Sequence, residues 1–363
     1  MDPLQFYLQR LQDLQTELNQ LQKRKSSFAW LRLGAIAAIT FAFYFLWSLG
    51  FLYVVIVIVV LLFIFIRLVY ADIDNQSKID HFKQLIRLIE DEIKCLNNDY
   101  YHLPDGAIHF TKDHPYTHDL DIFGRASIFQ YINRTTSEMG STQLAQYLSS
   151  PASIEEITER QIATKELSKI PLWIENLQAF GRKKEISFLT QRRLNKWMQE
   201  PPLFSKFKPW KWLRYLLPAI VLTVIGFFIY DVIGYTPFLL TLLLFAIIAY
   251  QINKYVAPIH EQLSKVADEL NTLSASIAHI ENQTFESPLL KELQSFFLKK
   301  NQKASKDIYE IKKILDRLDL RYNLVISAPL NIILLWNLQQ MLDLEKWKAN
   351  QHNSLDDWFN ALA

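Results

Sequence analysis

From Leu33 to Ile66 the chain carries 34 consecutive uncharged residues, bracketed by Arg32 and Arg67 and rich in Ile, Val, Leu and Phe. One helical crossing of a bilayer takes about 20 residues. The block therefore predicts two short spans, at about 31–48 and 51–68, joined by a tight turn at Ser48, Leu49 and Gly50. A second apolar block runs from Tyr215 to Asn253 with Asp231 as its only charge, and Gly234 and Pro237 beside it mark another turn. Two membrane hairpins are the expectation. A buried hairpin inside a soluble core is the alternative, and blocks of this length argue against it. In the first span Gly34, Ala38 and Ala42 recur every fourth residue, a spacing that lets helices approach closely.

The polar helices flanking the first hairpin carry a register of their own. Leu4, Tyr7, Leu11, Leu14, Leu18 and Leu21 alternate in steps of three and four, as do Ile79, Phe82, Ile86, Ile89, Ile93 and Leu96, the spacing of a coiled-coil seam. Paired from opposite ends, the positions mirror each other about residue 50. That symmetry predicts one continuous antiparallel hairpin through the bilayer and back, each arm of about 46 residues spanning about 69 Å. The competing use of the stripes is a coiled coil between chains.

Composition narrows the class. Only 8 Gly and 13 Pro in 363 residues leave too few turn residues for a sandwich, barrel or Gly-rich nucleotide fold. The single cysteine, Cys95, excludes a disulfide scaffold and a Cys-based metal site, and suits a reducing compartment. A net charge of +2 is too balanced for a dedicated nucleic-acid binder. Lys23, Arg24, Lys25, Arg32 and Arg67 flank the first hairpin, Lys206, Lys208, Lys211, Arg214 and Lys254 the second, and the tips carry no Lys or Arg. By the positive-inside rule the polar segments are cytoplasmic, which predicts a multi-pass membrane protein. Its first partner is the lipid bilayer.

Between the hairpins, His102, His109, His114 and His118 with Asp105, Asp113, Asp119 and Asp121 occupy an irregular segment. Such a group can ligate a metal, but Pro104 and Pro115 interrupt any helix that would align it, so no metal site is assigned. Ser153 and Glu156 form a capping box before a helix from Ile154 to Lys169. A seven-residue repeat from Ile259 to Ile280 predicts one long helix, followed by helices from Pro288, from Ser305 to Leu318, from Leu330 to Ala349 and from Ser354 to Leu362. Arg182, Lys183, Lys184, Arg192 and Arg193 are candidates for contact with DNA phosphates or anionic headgroups. No G-x-S-x-G or H-E-x-x-H run occurs, and Cys95 lies among apolar core positions, so no catalytic residue is assigned.

The run from His114 to Gly124, HPYTHDLDIFG, continues with Ser127 to Thr136, SIFQYINRTT, then Gly140 and Leu144-Ala145, then Arg160-Gln161 and Lys165 to Leu167. It resembles the start of the core domain of MutS-type mismatch repair ATPases, in particular a membrane-associated bacterial subgroup. Asn331 to Asn337, Leu344 to Trp347 and Leu355 to Trp358 resemble the helices that lead into the ATPase domain of that family. The matching core positions are Asp119, Asp121, Phe123, Gly124, Asn133, Thr135, Gly140, Arg160 and Gln161. The resemblance covers about residues 114–363 apart from the second apolar block. It implies mismatched-DNA binding, ATP and Mg²⁺ as cofactors of a full-length protein, and a homodimer formed through the ATPase domain.

The departures limit what carries over. No G-x-x-x-x-G-K-[ST] run exists, so the chain itself has no phosphate-cradling loop and is not expected to be an enzyme or to hold a cofactor. The family's Phe-x-Glu mismatch wedge is absent, and the second hairpin stands where the lever helices and clamp would be. Ala363 falls where an ATPase domain would follow, so a longer parent protein is expected. The predicted fold is all-α and multi-pass, with two transmembrane helical hairpins, a long antiparallel coiled-coil hairpin and a MutS-core-like helical domain. Along the chain this divides into a hairpin at 1–100, a connector with the first part of the core at 101–212, the second membrane hairpin at 213–254, and a returning helix with the rest of the core at 255–363. A stand-alone membrane scaffold without nucleotide chemistry is the alternative function. A small transporter subunit is disfavoured, because the spans lack ionisable residues apart from Asp231.

Overall fold

The computed structural model describes residues 2–46, 51–299, 302–351 and 354–362. The turn expected at Ser48, Leu49 and Gly50 lies outside the described residues. Among the described residues the fold is all-α, with one two-residue β-ladder pairing Leu298 with Lys303 and Lys299 with Gln302. The chain forms two compact units, Met1–Arg134 with Pro171–Lys183, and Thr135–Ile170 with Lys184–Ala363.

In the first unit α1 (Pro3–Leu46) and α2 (Phe51–Leu96) pack side by side. They run antiparallel. Leu14 meets Ile89 in one apolar cluster, Asn75 Nδ2 donates to the Leu21 carbonyl at 3.0 Å, and Arg32 pairs with Asp72 at 3.0 Å. Burial follows the seam: Leu14, Ile79 and Ile89 are buried, while Leu96 at its end is exposed. Each such leucine or isoleucine contributes about 2 kcal/mol by leaving water. On the other side of α2, α6 (Pro171–Lys183) sets Ala179 against Leu85 and Leu88. Because Ala179 has no side chain beyond Cβ, the two helices can lie close.

Within the apolar block between Arg32 and Arg67 this seam gives way to unburied apolar surface. Phe41, Val59 and Phe63 are 62, 58 and 65% exposed, which water would not tolerate over such lengths. Of the small residues, Ala42 is buried, but Gly34 has open space within 4 Å of its Cβ position. The close approach expected along the stripe therefore does not extend to Gly34.

The second unit holds α4 (Glu138–Ser149), α5 (Ile154–Leu167), α7 (Phe188–Gln199), α8 (Trp210–Ile229), α9 (Tyr235–Ser264), α10 (Ala267–Glu281), α11 (Pro288–Ser295), α12 (Ala304–Leu318), α13 (Leu324–Leu334), α14 (Trp336–Asn350) and α15 (Leu355–Leu362). The short α3 (Ile128–Ile132) belongs to the first unit. α14 is central, burying Leu338, Met341 and Leu344 against a core that includes Val256, Leu263, Ile308 and Leu315. α8 and α9 pack together, Phe228 stacking on Phe238 at 4.2 Å, and their outer faces are apolar and exposed. With α1 and α2 they make, among the described residues, four helices long and apolar enough to cross a membrane.

Two helices expected to be continuous are broken. The Ile259 to Ile280 repeat is interrupted between Ser264 and Ala267, where Val266 sits fully buried. The helix expected from Leu330 to Ala349 bends by 75° at Leu335, whose φ of 48° is left-handed. Asn331 Oδ1 accepts the Asn337 N–H at 2.9 Å across the bend, taking up a donor that the broken helix leaves free. The caps expected at Ser153 and Ser287 are present, beside others. Ser153 and Glu156 form a full capping box, and Ser127, Ser137, Ser187 and Ser287 each accept a backbone N–H at a helix start, worth about 1 kcal/mol apiece.

Candidate functional site

The residues singled out by the resemblance fall in both units. Asp119, Asp121, Phe123, Gly124 and Asn133 belong to the first; Thr135, Gly140, Arg160 and Gln161 belong to the second.

In the first unit the motif folds around a buried amide. Gln130 Nε2 donates to the carbonyls of Tyr101 and Leu103 at 3.2 and 2.7 Å, and its Oε1 accepts the Ala126 N–H at 2.8 Å. Phe123 and Phe129 pack at 5.5 Å with His109 beside both, and burial pushes the His109 imidazole below its usual range. The Gly124 N–H donates to the Asp105 carbonyl at 2.8 Å. Gly124 has φ 102°, a conformation that favours glycine. Asp121 is also left-handed, at φ 48°, and both Asp121 and Asp119 are exposed. Asn133 is buried. These side chains organise a turn.

Beside that turn a cleft of about 390 Å³ gathers ionisable groups, with Cys95 and Glu175 buried and Tyr7, Glu92 and Arg134 half-buried. Arg134 clasps Glu92 through Nε at 2.5 Å and Nη2 at 3.0 Å, a two-pronged pair. Arg10 reaches Glu175 Oε2 at 3.1 Å, while Glu175 Oε1 is buried without a hydrogen-bond partner among the described residues. Burial pushes the Glu175 carboxyl, the Cys95 thiol and the Tyr7 hydroxyl above their ordinary ranges. A raised thiol is a poor nucleophile at neutral pH, so this arrangement suits structure better than covalent chemistry.

In the second unit the motif residues again hold the backbone. Gly140 is buried in the first turn of α4, where its N–H donates to Ser137 Oγ at 3.0 Å. The Arg160 guanidinium lies 3.8 Å above the Tyr147 ring. Thr135 and Gln161 are exposed. Glu166, from the Lys165 to Leu167 part of the motif, accepts the N–H groups of Glu286 and Ser287 at 2.7 Å each, which hold its carboxyl below the usual range.

The basic run is also divided. Arg182 and Lys183 lie in the first unit, Lys184, Arg192 and Arg193 in the second. Arg182 pairs with Asp91 at 2.6 Å, so its charge is already used within the fold. Lys183, Lys184 and Arg192 are exposed. No three His, Cys, Asp or Glu side chains among the described residues converge as a metal site.

Several structural residues had no sequence signal. Gly106, at φ 68°, lies so close to Phe129 that a Cβ there would fall 2.5 Å from the ring. Glu269, Glu281 and Glu345 each accept backbone N–H groups from a distant segment, at Ser187, Ser305 and Leu203 to Ser205 respectively. On a helix such glutamates look like any solvated acid. Comparison with protein-family models, with characterised proteins and with solved structures gives no match for this chain.

Proposed function

We propose that the chain is the membrane-anchored core and lever region of a MutS-like, DNA-linked ATPase, held in a bacterial inner membrane with its polar parts in the cytoplasm. The observation that carries this reading is the use of the motif between His114 and Ala145. Phe123, Gln130, Asn133 and Gly140 are buried where they set the course of the backbone, as expected of a scaffold motif with no chemistry of its own. The four exposed apolar helices support the anchoring. On this reading α1 with α2 and α8 with α9 are the transmembrane hairpins. The 1–100, 101–212, 213–254 and 255–363 segments alternate anchor and cytoplasmic core. The sequence has no phosphate loop, so on this reading ATP and Mg²⁺ are not assigned to these residues. They would be bound by a domain following Ala363, which would also form the homodimer.

The test is the reading frame beyond codon 363 together with the activity of its product. A following G-x-x-x-x-G-K-[ST] domain and ATP hydrolysis stimulated by mismatched duplex are the expected results. A stop codon directly after Ala363, with no retention of duplex DNA by the purified chain, would replace this reading with a stand-alone membrane scaffold. The internal pairing of Arg182 with Asp91 favours that second reading, because it removes one of the cations available to phosphate.

A further inference from the structure

At the start of α8 a cleft of about 450 Å³ opens between the first turns of that helix and one face of α14. Its floor is aromatic. Trp210 is met edge-on by Phe204 and Phe207 at 6.2 and 6.1 Å, and Tyr215 lines the cleft one turn further along α8. Its polar lining is mostly basic, with Lys211 and Arg214 from α8 and Lys346 from α14. Glu345, the carboxylate that lines it, is engaged elsewhere, accepting the N–H groups of Leu203, Phe204 and Ser205 at 2.7, 3.0 and 2.7 Å. Arg214 is held by Gln339 at 2.8 Å and Asp343 at 3.1 Å, a fixed fork rather than a free tail. Lys211 and Lys346 have no ion-pair partner among the described residues.

We propose that this cleft binds the headgroup of an anionic phospholipid, its phosphate between Lys211 and Lys346 and its proximal acyl chain along Trp210 and Tyr215. The proposal rests on α8 being a membrane helix. If it is, its first turn lies at headgroup depth, where Trp and Tyr are favoured and cations attract anionic lipid. A free phosphate would use the two ammonium groups and leave the aromatic floor uncovered. A lipid uses both. Because Lys346 comes from α14, occupancy would tie the centre of the second unit to the membrane surface.

The test is lipid retention by the detergent-solubilised full chain, read by native mass spectrometry with phosphatidylglycerol, phosphatidylcholine and inorganic phosphate as separate probes. Phosphatidylglycerol should stay bound under conditions that strip phosphatidylcholine. Lys211→Gln and Lys346→Gln should each weaken it about fivefold, the factor equivalent to about 1 kcal/mol per surface cation, whereas Lys291→Gln, outside the cleft, should not. Equal retention of the two lipids, or unchanged affinity in both variants, would overturn the site. Inorganic phosphate competing as well as phosphatidylglycerol would overturn the lipid assignment. Flotation with phosphatidylcholine vesicles separates the two levels: a chain that does not float loses the membrane reading, and one that floats but fails the retention test loses only the site.

Discussion

The ammonium of Lys348 lies 4.8 Å from the centre of the Trp197 ring and donates to the carbonyl of the same residue. It also donates to the Glu200 carbonyl at 2.6 Å, so a single buried cation closes the C-terminal end of α7. Burial lowers its pKa from the usual lysine range, a cost offset by two charge-assisted hydrogen bonds and the indole face. Lys348→Met would leave those carbonyls without this donor. It should cost about 1.5–3 kcal/mol, read as a lower thermal midpoint in detergent. Lys306→Met, on an exposed face of α12, should stay within about 0.5 kcal/mol. Equal effects would remove the special role of Lys348.

Gly106 is required by both backbone and space. Its φ is 68°, and an added Cβ would lie 2.5 Å from Phe129 Cδ1. Phe129 is fully buried and has little room to retreat. Gly106→Ala should therefore cost about 2–4 kcal/mol, the sum of left-handed strain and overpacking. Gly124→Ala, at φ 102° with nothing within 4 Å, should show the strain alone, about 1–2 kcal/mol. Chemical denaturation of the two variants side by side gives the comparison. Equal losses would mean that the Phe129 ring yields freely.

His260 is fully buried and its Nε2–H donates to Asp319 Oδ1 at 2.8 Å, while its Nδ1 has no hydrogen-bond partner among the described residues. Burial lowers its pKa, with Arg321 acting in the same direction and Asp319 opposing it. In the unfolded chain the imidazole titrates near about 6.5, so the unfolded state binds the proton more readily. The stability linked to His260 is complete above about pH 6.5 and is lost as pH falls towards the lower folded value. The thermal midpoint should drop on acidification from about pH 7 to pH 5, and His260→Gln should flatten that part of the curve. An unchanged slope in the variant would assign the effect to other groups.

The proposed orientation makes a separate prediction. Asp231, left-handed at φ 54° and exposed between α8 and α9, would lie on the far side of the membrane, and Ser149 at the end of α4 on the cytoplasmic side. In a Cys95→Ser background, Asp231→Cys should react with an impermeant maleimide in intact cells, and Ser149→Cys only after permeabilisation. Labelling of position 149 from outside would reverse the topology.

The helical class, the four long apolar helices, the seam that pairs Leu4–Leu21 with Ile79–Ile93 and the caps at Ser153 and Ser287 were legible in the order of the amino acids, whereas Leu96, expected at the end of the seam, is exposed. Each of these is local: one buried face on a helix needs an apolar residue every three or four positions, and a cap needs one side chain within three residues. Which faces meet emerged only from the packing of the folded chain. That packing divided the core motif and the basic run between two units, bent the chain at Leu335, and turned Glu345, Glu269 and Lys348 from apparent surface charges into acceptors and donors for distant backbone. The physical reason is that a helix's period records that a face is buried but not what buries it. A charged residue on such a face has the same spacing whether it meets water or the unpaired N–H groups of a turn 140 residues away.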